Sequence, residues 1–514
     1  MRRRRIVQYA LVFASGAATM AVEMCASRLL APYFGNSLPV WGVVIGMLLA
    51  YLSLGYFLGG RLADRYPMES LSCSIAAWAG FVIGLIPYLA RPILRYSASG
   101  FAQYQAGPVL GSLLGILILF AVPVVLLGCV SPFAIRLSIE TAASAGRTAG
   151  HVYALSTVGS LLGTFASVFW LIPSFGTRSS MSTISVWLLG TAVLGLLVIG
   201  RRRALLPILL LATILALQLL PLGAIKPTAG MIYEADSAYN YIQVLREGEE
   251  IVLKLNEGEG IQSSYSPGQV LSGYVYDYFL LAPFFRAGEY PLPVTSMCLV
   301  GLAGGTAARQ YSVVFGDVPI DGIEIDPGIV EVGRRFFGLD LPNLQIAVAD
   351  GRYHLAHSTK RYDIILVDAY HPPYIPFQLT TIEFFLDVQA HLTPDGVVAI
   401  NVARTETDYS LVTAIASTLK AVFPSVYIMD PLSNLNSIAI ASRQPTQLLA
   451  VTARLSALSD HTLTNVAQRA EGRISEFTQS DQIILTDDRA PVEQIVHAIM
   501  ARYLLGRPAE EVQQ

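Results

Sequence analysis

Seven stretches in the first 225 residues, near 6–30, 38–60, 71–90, 107–130, 150–173, 179–200 and 204–222, are apolar almost without interruption. About 20 such residues suffice for a helix to cross a bilayer, so the pattern predicts about seven membrane spans. From Tyr239 onward the pattern changes: "YIQVL", a turn at "REGEE" and "IVLKLN" alternate and reverse like a β-hairpin. After "EYPLPVTS" come the short apolar runs "MCLVG", "IDGIEID", "LQIAVAD", "YDIILVDA" and "GVVAINVA", separated by helical stretches. Strands alternating with helices imply a doubly wound parallel sheet. The predicted organisation is a transmembrane helical bundle over residues 1–225, a β-hairpin subdomain over 226–292, a Rossmann-like α/β domain over 293–445 and a helical extension over 446–514.

Composition agrees with a multi-pass membrane protein. Of the 514 residues 53% are hydrophobic and only 14% charged, and mean hydropathy is +0.53, whereas soluble domains carry about 25% charge. Net charge is −3, and no basic strip is interleaved with aromatics, which argues against nucleic-acid binding. No lysine precedes Lys226, so the break between domains falls near "LGAIKPTAG". Cys25, Cys73, Cys129 and Cys298 lie in apolar runs without CxxC spacing and read as buried thiols.

"MRRRR" before an apolar run can open a signal peptide, but Glu23 and Arg28 occupy the place of a small-residue cleavage site. Glycines four apart, such as Gly55 and Gly59 or Gly159 and Gly163, let helix backbones approach closely. A tight bundle and a homodimer are expected. Glu23 should face the bundle interior or an aqueous cavity, either as a ligand or ion contact, or as a structural partner of Arg28 or a residue placed at the interface. The excess of arginines at 2–5, 61, 65, 136, 147 and 201–203 places the N-terminus in the cytoplasm, and seven spans would then put the C-terminal domain outside. A substrate supplied from the cytoplasm would argue for the cytoplasmic side instead.

In doubly wound sheets the ligand binds beyond the carboxyl ends of the strands. "VGLAGGTAAR", residues 300–309, follows the first strand and opens a helix, and its glycines permit a close turn. The second strand ends in Glu324 and Asp326, about twenty residues beyond the turn, where an acid can accept both hydroxyls of a ribose. The third ends at Asp350 and the fourth at Asp368. Asp326 and Asp350 can each serve as a helix N-cap, but acids ending three successive strands describe a nucleoside site. His354, His357 and His371 are too loosely spaced for a metal site, and none is expected.

These residues resemble a family. "GLAGGT", "GIEID", "ADG" and "DAY" follow the order and spacing of the spermidine synthases, polyamine aminopropyltransferases on a class I methyltransferase-like fold, and "AYNYIQV" and "GIQSS" resemble the family's N-terminal strands. "EMCASRLLAPYFGNS", "GYFLGGRLADR" and "LTDDRAPVE" look like its membrane-embedded branch.

The resemblance implies that Gly301 and Gly305 shape the turn, Glu324 binds the ribose, Asp350 accepts from the adenine amino group, Asp368 is the catalytic acid and Gln262 lies near the transferred chain. It also implies departures. Gly304 and His371 stand where soluble members have aspartates, Asn240 replaces a glutamine, and Tyr276, with Tyr274 and Tyr278, loosely matches a substrate tyrosine. No tightly bound cofactor is implied; the substrate is decarboxylated S-adenosylmethionine or S-adenosylmethionine itself. Several readings stay open: aminopropyl transfer to an amine such as a polyamine, cleavage or cyclisation of intact S-adenosylmethionine, methyl transfer, or a nucleoside-sensing transporter.

Overall fold

The computed structural model of the chain describes all residues except 1, 36, 102–106, 140, 142–143, 257–259, 289, 371–373, 433–434, 480–482 and 506–514. The chain divides into two compact units. The first comprises Met1–Thr228 and Ala235–Tyr241, the second Ala229–Glu234 and Ile242–Gln514.

The first unit is helical: α1 (Arg2–Phe34), α2 (Leu38–Arg65), α3 (Glu69–Phe101), α4 (Gly107–Ser138), α5 (Ala145–Ala166), α6 (Ile172–Ile199) and α7 (Leu205–Leu217). Among the described residues, five segments are long and apolar enough to cross a membrane, the fifth being the whole of Ala145–Ile199. Two of the expected spans meet inside that segment, where a π-helical turn joins α5 to α6 and Gly176 leaves helical geometry at φ 75°. Helix α7 has 13 residues, about 20 Å, which is shorter than the hydrocarbon core of roughly 30 Å.

The glycine spacing has a packing cause. A Cβ at Gly55 or Gly59 would strike the backbone of α4, and one at Gly159 or Gly163 that of α1. Gly42 and Gly46, by contrast, meet nothing within 4 Å. All four cysteines are free and buried.

One end of this bundle carries Arg4 with Glu69 (3.5 Å) and Arg203 with Ser70 (2.8 Å). The other end carries the chain's exit: Tyr33 Oη donates to Ile225 O (2.6 Å) and Arg178 to Leu222 O (3.4 Å). Arg28 pairs there with Asp236 (3.1 Å), whose other oxygen accepts from Thr177 N (3.1 Å). Asp236, and not Glu23, is thus the partner found for Arg28. A guanidinium at a helix end reaches an interfacial carboxylate at less desolvation cost than one in the hydrocarbon.

The second unit opens with a four-stranded sheet in the order β1 (Met231–Asp236), β2 (Tyr241–Glu247), β3 (Glu250–Leu255), β4 (Ile261–Tyr265). The turn Gly248 (φ 68°) joins β2 to β3 in an antiparallel hairpin, and β4 pairs antiparallel with β3. Eight further strands form one mixed sheet: β5 (Met297–Val300), β6 (Ile320–Glu324), β7 (Leu344–Val348), β8 (Tyr362–Val367), β9 (Leu392–Ala403), β10 (Ser425–Met429), β11 (Asn436–Ser442) and β12 (Ile474–Glu476). Their order is β12-β10-β11-β9-β8-β5-β6-β7. Strands β5 to β9 are parallel, and β10 to β12 are antiparallel additions at one edge. The stretch 446–514 is therefore not wholly helical, since it contributes β12.

Parallel strands covered on both faces need apolar residues at every position. In β5 and β8 the alternation sorts them. Cys298, Val300, Ile365 and Val367 face one core, and Met297, Leu299, Ile364 and Leu366 face the other. At the amino end of β8, Asp363 is fixed by Arg286 (3.1 Å) and Thr295 (2.7 Å). Burial alone would raise its pKa, but the Thr295 hydrogen bonds and the Arg286 charge hold it below the usual carboxylate value.

Candidate active site

The sheet order sets the site. Moving across the carboxyl edge from β7 to β9, the chain presents in turn Asp350, Glu324, the glycine turn after β5, Asp368 and Asn401. Adjacent strands lie about 4.8 Å apart, so the row from Asp350 to Asp368 spans roughly 14 Å, the length of an adenosine with a short substituent.

The glycine turn requires its glycines. Gly301 has φ 91°, and a Cβ there would lie 2.6 Å from the carbonyl carbon of Asp368 and 2.7 Å from Ala369 N. The first strand's end is thus held directly beside the end of β8, where Asp368 N donates to Val300 O (2.8 Å). Gly305 has φ 85° and precedes the helix Thr306–Phe315. Ala303 also takes a positive φ of 47°, an uncommon conformation for a residue with a Cβ.

Glu324 braces this turn. Its Oε2 accepts from Ala303 N (2.9 Å) and its Oε1 from Asp326 N (3.1 Å). Burial raises its pKa to about 7, against the pull of those two amides. Asp326 and Asp350 do serve as N-caps. Asp326 Oδ1 accepts from Gly328 N (2.9 Å) and Asp350 Oδ1 from Tyr353 N (2.9 Å), which opens the short helix Gly351–Ala356.

Asp368 is the other perturbed carboxyl. Burial raises its pKa to about 6, and a hydrogen bond from Asn401 limits the rise. Asn401 Nδ2 donates to Asp368 Oδ1 (2.9 Å), and Asn436 Nδ2 in turn donates to Asn401 Oδ1 (2.9 Å). Tyr370 Oη donates to the Asn401 carbonyl (3.1 Å). Burial, followed by the nearby Asp368 charge, pushes the phenols of Tyr276 and Tyr370 up, so both remain neutral donors beside the carboxylate. Tyr276 Oη donates to Ile261 O (2.5 Å).

Strand β4 passes in front of the turn. Ser263 Oγ accepts from Gly304 N (2.8 Å), and Thr306 Oγ1 accepts from Ser264 N (2.9 Å). Gln262 is the neighbour of both Ile261 and Ser263 and is partly exposed. At Gly304 a Cβ would lie 2.9 Å from Ser263 Cβ and 3.1 Å from Phe337 Cγ, so any side chain there is crowded.

The site thus brings together Gly301, Gly305, Glu324, Asp368, Tyr276 and the strand bearing Gln262, with Asp350 at its far side. Asn240 belongs to the segment Ala235–Tyr241 of the first unit, where its carbonyl accepts from Ser237 N (2.9 Å). His371 lies outside the described residues. Asn401, Asn436 and Tyr370 were missed. Asn401 did carry a signal, a lone polar residue near the carboxyl end of an apolar strand.

The motif "LTDDRAPVE", which the sequence offered only as part of a resemblance, has a structural role. Asp487 receives both terminal nitrogens of Arg352, at 2.7 Å each, and Thr381 Oγ1 donates to it (2.8 Å). Arg352 also donates to Gln378 O (3.3 Å). The motif therefore ties the helix opened by Asp350 to the segment that follows β8.

Known proteins share sequence with this chain. Residues 302–436 match the spermine/spermidine synthase domain. A protein of Bifidobacterium longum named "Probable polyamine aminopropyl transferase" is 32% identical over 291 residues, which are 52% of this chain and 63% of that protein. The chain thus spans less than two thirds of that relative's length. The polyamine aminopropyltransferase of Mycobacterium tuberculosis is 24% identical over 462 residues, 84% of this chain and 83% of that one. The crystal structure of the spermidine synthase of Thermotoga maritima aligns with 47% of this chain and 83% of its own, at 19% identity and a TM-score of 0.38.

Proposed function

We propose that this chain, which carries a spermidine synthase domain, is a membrane-bound enzyme that transfers an aminopropyl group from decarboxylated S-adenosylmethionine to an amine and releases methylthioadenosine. The observation that carries this reading is Asp368, a carboxyl with its pKa raised to about 6, fixed by Asn401 and set against the glycine turn.

The adenosyl part lies along the strand ends, with the ribose hydroxyls on Glu324 and the adenine amino group on Asp350. Gly301 and Gly305 let the backbone approach the nucleoside. The incoming amine is protonated in water and cannot attack. Asp368 takes its proton, for which a carboxylate within hydrogen-bond reach is needed. The nitrogen lone pair then forms a bond to the carbon next to the sulfonium, the carbon–sulfur bond breaks, and its electron pair returns to sulfur. The products are the alkylated amine and the neutral thioether methylthioadenosine, with the proton passing from Asp368 to solvent. Alignment of nitrogen, carbon and sulfur lowers the barrier by several kcal/mol, on the order of 7 when the geometry is fully preorganised. Gln262 and Tyr276 are proposed to line the transferred chain and the acceptor.

One observation favours a second reading, cleavage or cyclisation of intact S-adenosylmethionine. Ser263 and Phe337 crowd the space beyond Gly304, where soluble family members hold an aspartate for the donor's amine. Without that carboxylate the pocket does not repel a substrate that keeps its own. The first unit, on this proposal, holds the enzyme in the cell membrane.

The test is incubation of the purified full chain with each sulfonium, with and without putrescine or spermidine, followed by chromatography for methylthioadenosine. Amine-dependent release from the decarboxylated donor supports transfer. Amine-independent release from intact S-adenosylmethionine supports the second reading. Nucleoside binding without product from either overturns both in favour of a sensor.

A further inference from the structure

The first unit carries a cationic groove that the chemistry of the second does not use. It has a volume of about 620 Å³ and is lined on helix α3 by Pro87, Tyr88, Arg91, Pro92, Arg95 and Tyr96, with Leu222 closing it from the other side. Arg91 and Arg95 are one helical turn apart and so share a face. Both are exposed, and among the described residues neither forms an ion pair.

The surrounding sequence supplies no anion. Between Ser70 and Ile139 there is not one Asp or Glu. Asp236, at this end of the bundle, is already engaged by Arg28 and Thr177. Arg178 adds a third guanidinium, bonded to the carbonyls of Leu222 and Gly223, and Arg91 Nη1 approaches Gly223 to within 3.7 Å of a Cβ position there.

Position narrows the ligand. The groove lies toward the end of a helix that is apolar enough to span a bilayer, with Tyr88 and Tyr96 beside the arginines. Tyrosine and arginine at the edge of a spanning helix sit at headgroup level, where the ring stays half in hydrocarbon and the guanidinium meets phosphate. Arginine's planar fork suits phosphate oxygens in particular.

We propose that this groove binds the phosphodiester headgroup of an anionic phospholipid, held by Arg91 and Arg95. The inference rests on the reading that the first unit is embedded in a membrane. Each basic residue near an anionic headgroup strengthens binding by about fivefold, so loss of both should weaken it by more than about tenfold.

The experiment is native mass spectrometry of the purified full chain in detergent with added phosphatidylglycerol or phosphatidylcholine. The expected result is retention of phosphatidylglycerol over phosphatidylcholine, weakened by more than about tenfold in R91Q/R95Q, less so in R91K/R95K, which keeps the charge but not the planar fork, and unchanged in R61Q/R65Q at the other end. Equal retention of the two lipids, or retention unaffected in R91Q/R95Q, overturns the site. Displacement of the lipid by millimolar inorganic phosphate also overturns it, in favour of a free-phosphate site. Membrane fractionation of wild type and R91Q/R95Q separates this failure from that of the membrane reading: recovery of both in the membrane fraction leaves the lipid counts decisive, whereas a soluble wild type overturns both readings.

Discussion

Asn401 donates to Asp368 across the junction of two parallel strands, at 2.9 Å, and is itself held by Asn436 at 2.9 Å. This relay fixes one oxygen of the carboxylate and favours its ionised form, while burial disfavours it. In its proposed role as a base Asp368 works only when deprotonated, so activity should fall as pH drops through about 6. Asn401→Leu removes the stabilising donor. The acid limb of kcat/KM should then move upward by roughly one pH unit, since a hydrogen bond to a charged group is worth on the order of 1.5 kcal/mol. A pH–rate profile with an unmoved acid limb contradicts the role given to Asn401.

Glu324 leads to a different pH dependence, one of binding. Burial raises its pKa to about 7, and in the proposed ribose contact only the carboxylate would accept from two hydroxyls with full strength. Affinity for methylthioadenosine should therefore be lower at pH 6 than at pH 8, by up to roughly tenfold. Glu324→Ala should weaken binding at both values and abolish the difference. Calorimetric titration at the two pH values checks this; equal affinities speak against the ribose contact.

The clamp between Arg352 and Asp487 acts at a distance from the reacting atoms. It joins the helix that begins at Asp350 to Gln378 and to the "LTDDRAPVE" motif. The hydrogen bonds to Arg352 hold Asp487 below the usual carboxylate range, so the pair stays ionised near neutrality. Asp487→Asn should raise KM for the sulfonium about threefold to tenfold with kcat nearly unchanged, because on the proposed binding mode the adenine end is loosened and the amine end is not. Initial rates over a range of donor concentrations separate the two constants, and a fall in kcat alone would show that the clamp serves something else.

Arg4 and Ile225 lie at opposite ends of the helical bundle, the first with Glu69 and the second with Tyr33. Cysteines introduced at Arg4 and Thr228 should accordingly react with a membrane-impermeant maleimide from opposite faces of intact cells. The native cysteines are buried and should remain silent. Labelling of both from one face contradicts an odd number of crossings.

Much of the second unit was legible in the sequence because each parallel strand is buried on both faces and ends abruptly in an acid. The apolar runs gave β5 to β9, and Glu324, Asp350 and Asp368 marked their ends. Asn436 was not legible, since its nearness to Asn401 depends on β11 pairing antiparallel with β9, a register that no local pattern encodes. The partner of Arg28 was equally hidden, for Asp236 lies more than two hundred residues away in the chain. In the bundle, hydropathy separated the spans on either side of Gly176, where Ser174, Thr177 and Arg178 interrupt the apolar run, but it did not show the shortness of α7, because the residues that follow Leu217 are also largely apolar.

The central claim is that Asp368 performs chemistry on a bound adenosyl sulfonium, and Asp368→Asn tests it most directly. Methylthioadenosine release should fall by at least roughly a hundredfold, while methylthioadenosine affinity stays within about twofold of wild type, since the change removes a proton acceptor and leaves the strand-end cradle in place. Turnover at the wild-type rate in that variant, with binding intact, would contradict the account.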